Sequence, residues 1–463
     1  MFRSLLKAVV WLLGIVALAL ALLFGINATD EPLSAETLAA MQVPPQPTLS
    51  ENNGFLDFLA LTAPAGASTV EVATGQLDLY RKGVAQEDPR WLRQASLSEK
   101  LPMCRPGESS CLDVAAAHPG LRKLIDEHRT FLERYRAMRA KPEFTDLVPV
   151  SSPEHGLPVY WHVTAGQRLS LLGAAIRFNA GDRAGAIREL ELEYAFHRKL
   201  AAGSNTLIVK MIAFAALDRD GLFVVELARK LPPGDRVSWQ RLAALTRPPT
   251  PEELDVVRSL KLERAQVVGW MRTRHYVRMS DELYEAFKAF APRTRPWWDS
   301  AAPYLYRPHQ SVNRYVAQTN IALGVAGRPS AEFLDAVEDA RTRLRTLEPG
   351  LLLRLVLSPA AYSHYLLEDG GDYSDYIGRA HSHAGVQSLV RLQVTLRAAG
   401  LTKPADVAAA MGGPLGARHA EPFTGKPMRY DAAGGTLSFP AEQKYLSGVA
   451  RAIHRNGRVE LPL

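Results

Sequence analysis

The sequence predicts an all-α protein, mainly helical, with helices paired as in an αα-hairpin or tetratricopeptide-like unit. It adds one N-terminal transmembrane helix and a small C-terminal β-hairpin. Three observations predict this. The run from Ala8 to Ile26 holds no charged residue. Apolar residues recur at three- and four-residue spacing through most of the remaining chain. Only beyond Glu421 does the period shorten to two.

At a rise of about 1.5 Å per residue, Ala8–Ile26 spans roughly 28 Å, close to the hydrocarbon thickness of a bilayer. Arg3 and Lys7 precede it, and Asp30 and Glu31 follow. The positive-inside rule keeps residues 1–7 in the cytoplasm, makes 8–26 a signal-anchor in the inner (plasma) membrane, and sends the body across. A cleaved signal peptide is the rival. Its apolar region is shorter, about 7–15 residues, and ends in small residues, whereas a cut after Ala28 puts Ile26 at the minus-three position. Both readings place the body outside the cytoplasm. The nearest second apolar run, Thr206–Leu217, is short and interrupted by Lys210, so it reads as a buried core helix.

The chain has 463 residues, 47% apolar and 22% charged, which fits one to three globular domains with ample core. The net charge of +7 is spread without a basic block. Nucleic-acid binding, which needs a clustered stripe, is therefore not expected. Arginines beside the anchor have anionic lipid headgroups within reach. The only cysteines, Cys104 and Cys111, flank an Arg-Pro-Gly-Glu-Ser-Ser loop. In an oxidising compartment they read as a structural disulfide, worth roughly 2.5 kcal/mol by loop entropy.

Residues 27–48 read as a tether, with a short helix at Ser34–Met41 and stiffening prolines at 44, 45 and 47. An N-terminal helical lobe follows over 49–247. Short helices are expected at Gly54–Leu61 and Leu77–Lys82, and another beginning at Asp88-Pro89. Pro119–Ala140 carries an apolar stripe from Leu121 to Met138 and predicts one long helix. Val159–Asn179, a Gly181-Asp182 turn, Arg183–Ala201 and Thr206–Leu231 form the most helical stretch. Pro248, Pro249 and Pro251 mark a junction, and a second helical lobe occupies 248–420. There, helices are expected at Glu252–Met279, Ser280–Phe290, Gln310–Leu323, Ser330–Leu347, Leu351–Leu366, Tyr373–Ala398 and Pro404–Met411, with a Pro- and aromatic-rich loop over 291–308. In the hairpin and tail, 421–463, Met428, Tyr430, Leu437 and Phe439 alternate about an Asp-Ala-Ala-Gly-Gly turn.

The anchor with its long helical body, the Leu207-Ile-Val-Lys-Met-Ile-Ala213 segment and the Pro422-Phe-Thr-Gly-Lys-Pro-Met-Arg-Tyr430 hairpin resemble a set of uncharacterised bacterial single-pass membrane-anchored helical proteins. That resemblance implies the architecture and brings no assigned activity, so it transfers no functional residue.

The chain lacks a phosphate-binding loop, a dinucleotide fingerprint, H-E-x-x-H, G-x-S-x-G and a calcium loop. The richest cluster of ligand-type residues is His364, Asp369, Asp372, Asp375, His381 and His383. His381 and His383 lie two apart, so on one helix they cannot share a face, and we expect no metal there. Glu193 and His197, four apart, could be a general base with its orienting acid or a plain helix contact. Lys210 could be a lysine of depressed pKa, though a structural contact with Glu189 or Glu193 is the simpler expectation. No cofactor is expected. The role expected is binding or assembly with an envelope protein or peptide, beside the lipid bilayer held by 8–26. A cell-envelope hydrolase with its site on the helical body is the alternative.

Overall fold

In the computed structural model, the described residues are 2–42, 50–63, 66–81, 104, 109–147, 160–272, 302–347, 350, 353, 356–358 and 373–463. The expected architecture holds: a helical body, one long apolar N-terminal helix and a small C-terminal antiparallel sheet. The expected helix beginning at Asp88-Pro89, those at Ser280–Phe290 and Leu351–Leu366, and most of the 291–308 loop lie outside the described residues or nearly so.

Three consecutive helices make the centre. Trp161–Asn179 turns through Gly181, whose positive φ of 90° suits a residue without Cβ, into Arg183–Gly203. Asp182 caps that second helix by accepting from the Gly185 N–H at 2.8 Å. Thr206 then caps Leu207–Lys230, the central helix. Its neighbours are Arg183–Gly203 on one side and Ser374–Ala398 on the other. One cluster of buried apolar side chains runs through all of these, from Phe55 to Leu461, and draws on both sides of the 248–251 prolines.

Two expected long helices are broken. The Pro119–Ala140 pattern divides at His128 (φ −104°, ψ 21°) into Leu121–Glu127 and Arg129–Ala140. The second half can then also pack on Gly54–Leu59. After Pro251–Leu254 the backbone extends at Asp255, whose carboxylate accepts the Val257 N–H at 2.8 Å and opens a new helix, Val257–Met271. Periodicity alone does not show such breaks, because both halves keep one apolar face.

The C-terminus is richer than a hairpin. Strands β1 (Arg429–Asp431) and β2 (Thr436–Pro440) pair as expected, Tyr430 opposite Leu437. Two further strands, β3 (His454–Arg455) and β4 (Arg458–Pro462), complete an antiparallel sheet of order β1-β2-β4-β3. The β3–β4 connection is Asn456-Gly457, both at positive φ (49° and 75°), the turn chemistry that favours a two-residue hairpin.

The N-terminal helix runs Phe2–Ala28 and is long and apolar enough to cross a membrane. The first part of the segment read as a tether is packed on the body. Ala35–Ala40 is helical, and residues 30–37 bond to the helix Pro308–Ala326. Asp30 caps that helix from far away in sequence, accepting the His309 and Gln310 N–H groups at 2.7 and 3.1 Å. Asn313 answers by donating to Glu31 and to the Pro32 carbonyl. A second, smaller apolar cluster, including Ala40, Val268, Met271, Tyr306 and Val312, seals this junction.

Gly166 and Gly173 share the Trp161–Asn179 helix but not their surroundings. A Cβ at Gly166 would run into the Tyr135 ring, while one at Gly173 meets open space. Gly166→Ala should therefore destabilise the full chain by about 1–3 kcal/mol. Gly173→Ala should stabilise it by about 0.5–1 kcal/mol through helix propensity. Unfolding midpoints of the detergent-solubilised protein, moving in opposite directions, check both.

Candidate functional site

The ionisable residues singled out in the sequence gather around the central helix. Its run Leu217-Asp-Arg-Asp-Gly221 puts three charges inside an apolar stretch, and Asp218 and Asp220 are both buried. Being two residues apart on a helix, they reach opposite sides.

Asp220 serves the Trp161–Asn179 and Arg183–Gly203 side. Its carboxylate holds the His197 Nδ1 at 2.6 Å and accepts from the Gln167 Nε2 at 2.7 Å. Gln167 in turn accepts from Arg219. Next to this, Glu193 accepts from the Tyr135 hydroxyl at 2.8 Å and pairs with Arg139, which also reaches Glu189 at 2.8 Å. The Glu193 Oε2 stands 3.8 Å from the His197 Nε2. The expected Glu193–His197 neighbours do meet, but the carboxylate that orients His197 is Asp220.

Asp218 serves the other side. It holds the His383 Nδ1 at 2.7 Å and accepts from the Ser447 hydroxyl at 2.6 Å, while the His383 ring stacks on Phe214 with centroids 4.7 Å apart. Serine, histidine and aspartate are thus together in the wrong order for nucleophilic catalysis. A triad needs the imidazole between hydroxyl and carboxylate, so that it can take the hydroxyl proton. Here the carboxylate is in the middle, and the Ser447 Oγ is also the cap that accepts from the Ala450 N–H.

Burial sets the protonation of this network. It pushes the Glu193 carboxyl above its ordinary range, against the lowering pull of Arg139 and His197. Burial likewise raises the Tyr135 phenol, helped by the Glu193 charge, and lowers Arg219 to about 10. Arg139 is penalised by burial, yet Glu193 and Glu189 outweigh this and hold its guanidinium above the usual value. The result is a set of paired buried charges in which the His197 Nε2 makes no hydrogen bond, and none of these side chains lines the cavities described below.

Lys210 is buried and lowered to about 8, chiefly by desolvation. The expected contact with Glu189 or Glu193 is not made, because Arg139 takes both carboxylates. Lys210 instead donates to the Ala201 and Glu252 backbone carbonyls. Of the proposed ligand cluster, His364, Asp369 and Asp372 lie outside the described residues. His381 and His383 diverge as their spacing requires: His383 goes to Asp218, and His381 packs against the Phe333 ring at 4.9 Å. Among the described residues no group of three or more His, Cys, Asp or Glu side chains is placed to hold a metal. Cys104 and Cys111 stand at disulfide distance, Cα–Cα 4.8 Å.

Among the concavities lined by described residues, one of about 440 Å3 is edged by the charged side chains Arg328, Glu332, Asp335, Asp339 and Arg343, and two more stand out. One, of about 450 Å3, brings His381 beside Glu252 and Asp255. Burial holds His381 at about 4, far below the near-neutral value an efficient general base needs. The other, of about 540 Å3, lies between β2, the Phe333–Leu347 helix and the loops beside the sheet. Leu334, Phe423, Pro440, Ala441 and Tyr445 form its walls. No family model matches the chain, and no curated protein or solved structure does so.

The residues that carry this network were only half visible in the sequence. Glu193, His197 and Lys210 stood out by spacing or by an apolar context. Asp218 and Asp220 carried the same signal, charge inside an apolar helix, but their partners lie on helices remote in sequence.

Glu226, nearer the end of the central helix, accepts the Cys111 and Leu112 N–H groups at 2.7 and 3.3 Å, yet burial raises it to about 7. A carboxyl whose folded pKa exceeds its unfolded value favours folding at low pH and loses that contribution as pH climbs to the folded pKa. Stability should therefore fall by about 3 kcal/mol from this group between pH 4.5 and 7. Denaturant unfolding of Glu226→Gln across that window should show the falling limb shallower by about that amount, with the contribution of Glu263, which burial likewise raises to about 7, remaining.

Proposed function

We propose that this chain is a single-pass inner-membrane protein whose extracytoplasmic helical body binds an envelope protein or peptide through an apolar groove. The observation that carries the reading is how polar and apolar groups are divided. Among the described residues, Glu193, His197, Asp218, Asp220 and His383 are engaged with partners in the core, whereas the concavity of about 540 Å3 is walled by Leu334, Phe423, Pro440, Ala441 and Tyr445. Such a site fits one or two apolar side chains of a partner, with Glu442 and His454 at hand for its polar groups. The charge asymmetry around the anchor, with Arg3 and Lys7 before and Asp30 and Glu31 after, supports the orientation.

Two measurements test this. A phosphatase fused after Leu463 should be active, and a fluorescent protein that matures only in the cytoplasm should stay dark there. The opposite pattern overturns the compartment. A photo-crosslinking residue in place of Gln443, at the groove, should give a discrete adduct in whole cells that Leu334→Asp abolishes. Equal adduct formation with and without that substitution would remove the groove as the binding site.

A further inference from the structure

The contacts at the end of the anchor have a consequence for the body. Along Ala8–Ile26 the described side chains are exposed except Leu23 and Phe24, which are half-buried. The turn Ala302–Leu305 packs against this end of the anchor helix. Asn27, fully buried, donates to the Leu23 and Val356 carbonyls, each at 2.8 Å, and accepts the Ser358 N–H at 2.8 Å. Ser358 is held in turn by the Arg307 N–H, which donates to its hydroxyl at 3.0 Å.

These bonds fix depth. Leu23 and Phe24 belong to the apolar run, so whatever covers them sits at the level where that run leaves the hydrocarbon. Val356, bonded directly to Asn27, shares the level. Around this junction Tyr304, Leu353 and Val356 are 60%, 53% and 38% exposed. Apolar and aromatic side chains at such a height meet lipid rather than water, and tyrosine favours the headgroup boundary.

Resting on the reading of Ala8–Ile26 as a membrane span, we infer that Tyr304, Leu353 and Val356 form a lipid-contacting edge. Through it the body dips into the outer face of the bilayer beside its own anchor. The partner is the membrane surface itself, and the anchor's hydrogen bonds hold the edge at that depth. The body is thereby fixed in orientation.

The test uses the full chain in nanodiscs of phosphatidylethanolamine and phosphatidylglycerol. Benzoylphenylalanine replaces Tyr304, Leu353, Leu18 in the anchor, or Val237, exposed on the helix Arg236–Leu245. After illumination, intact mass reports covalent lipid. Tyr304 and Leu353 should give lipid adducts on the order of tenfold above Val237, approaching Leu18. Adducts at Leu18 with Tyr304 and Leu353 at the Val237 level would overturn the inference and leave the span intact. No adduct at Leu18 would overturn the span and the inference together. Protein dimers linked through Tyr304 would show a second copy covering the edge, which also overturns it.

Discussion

Two carboxylates on one helix tie this fold together. Asp218 and Asp220 are carried into the core by the central helix, and a charge in that position is tolerable only when paired and hydrogen-bonded. Asp220 finds His197 and Gln167; Asp218 finds His383 and Ser447. Four elements are thereby set in register around a fifth, including a C-terminal turn more than two hundred residues away in sequence. Apolar packing would allow those helices to slide or rotate at modest cost, because hydrophobic burial is non-directional. Hydrogen bonds to a buried carboxylate do not, since a lost partner leaves a desolvated charge behind.

The same logic operates where the N-terminal helix meets the body. Asp30 and Asn27 close hydrogen bonds that Pro308–Ala326 and the 356–358 segment would otherwise lack. The helix Pro308–Ala326 has no capping side chain of its own at Arg307. An N-terminal segment that supplies the missing cap is a structural part of the body rather than a leash.

Several features that look like chemistry in the sequence have structural explanations. Glu193 and His197 are neighbours, but both are sealed among Tyr135, Arg139 and Asp220. Lys210 has a lowered pKa, yet its ammonium is occupied by backbone carbonyls. His381 does line a cavity with acidic residues, but its buried imidazole is too weak a base. The concavity beside the sheet is walled largely by apolar side chains, which is why binding rather than catalysis is the reading we favour.

How much was legible follows from the range of each signal. Helix pairing through Gly181-Asp182, the Pro404–Met411 helix, the Tyr430–Leu437 strand pair and the long apolar N-terminal helix are local, and spacing, caps and turn residues determine them. The second hairpin is equally local, set by the Asn456-Gly457 turn. The break at His128 and the new start at Asp255 are invisible to periodicity because the apolar face continues across each. What only the tertiary structure decided is partnership: that Arg139 rather than Lys210 takes Glu193, that His383 goes to Asp218, and that Asp30 caps a helix beginning at Pro308. A charged side chain tells in sequence that it needs a partner. Which one it gets depends on where distant helices come to rest, and that is set by the packing of the whole core.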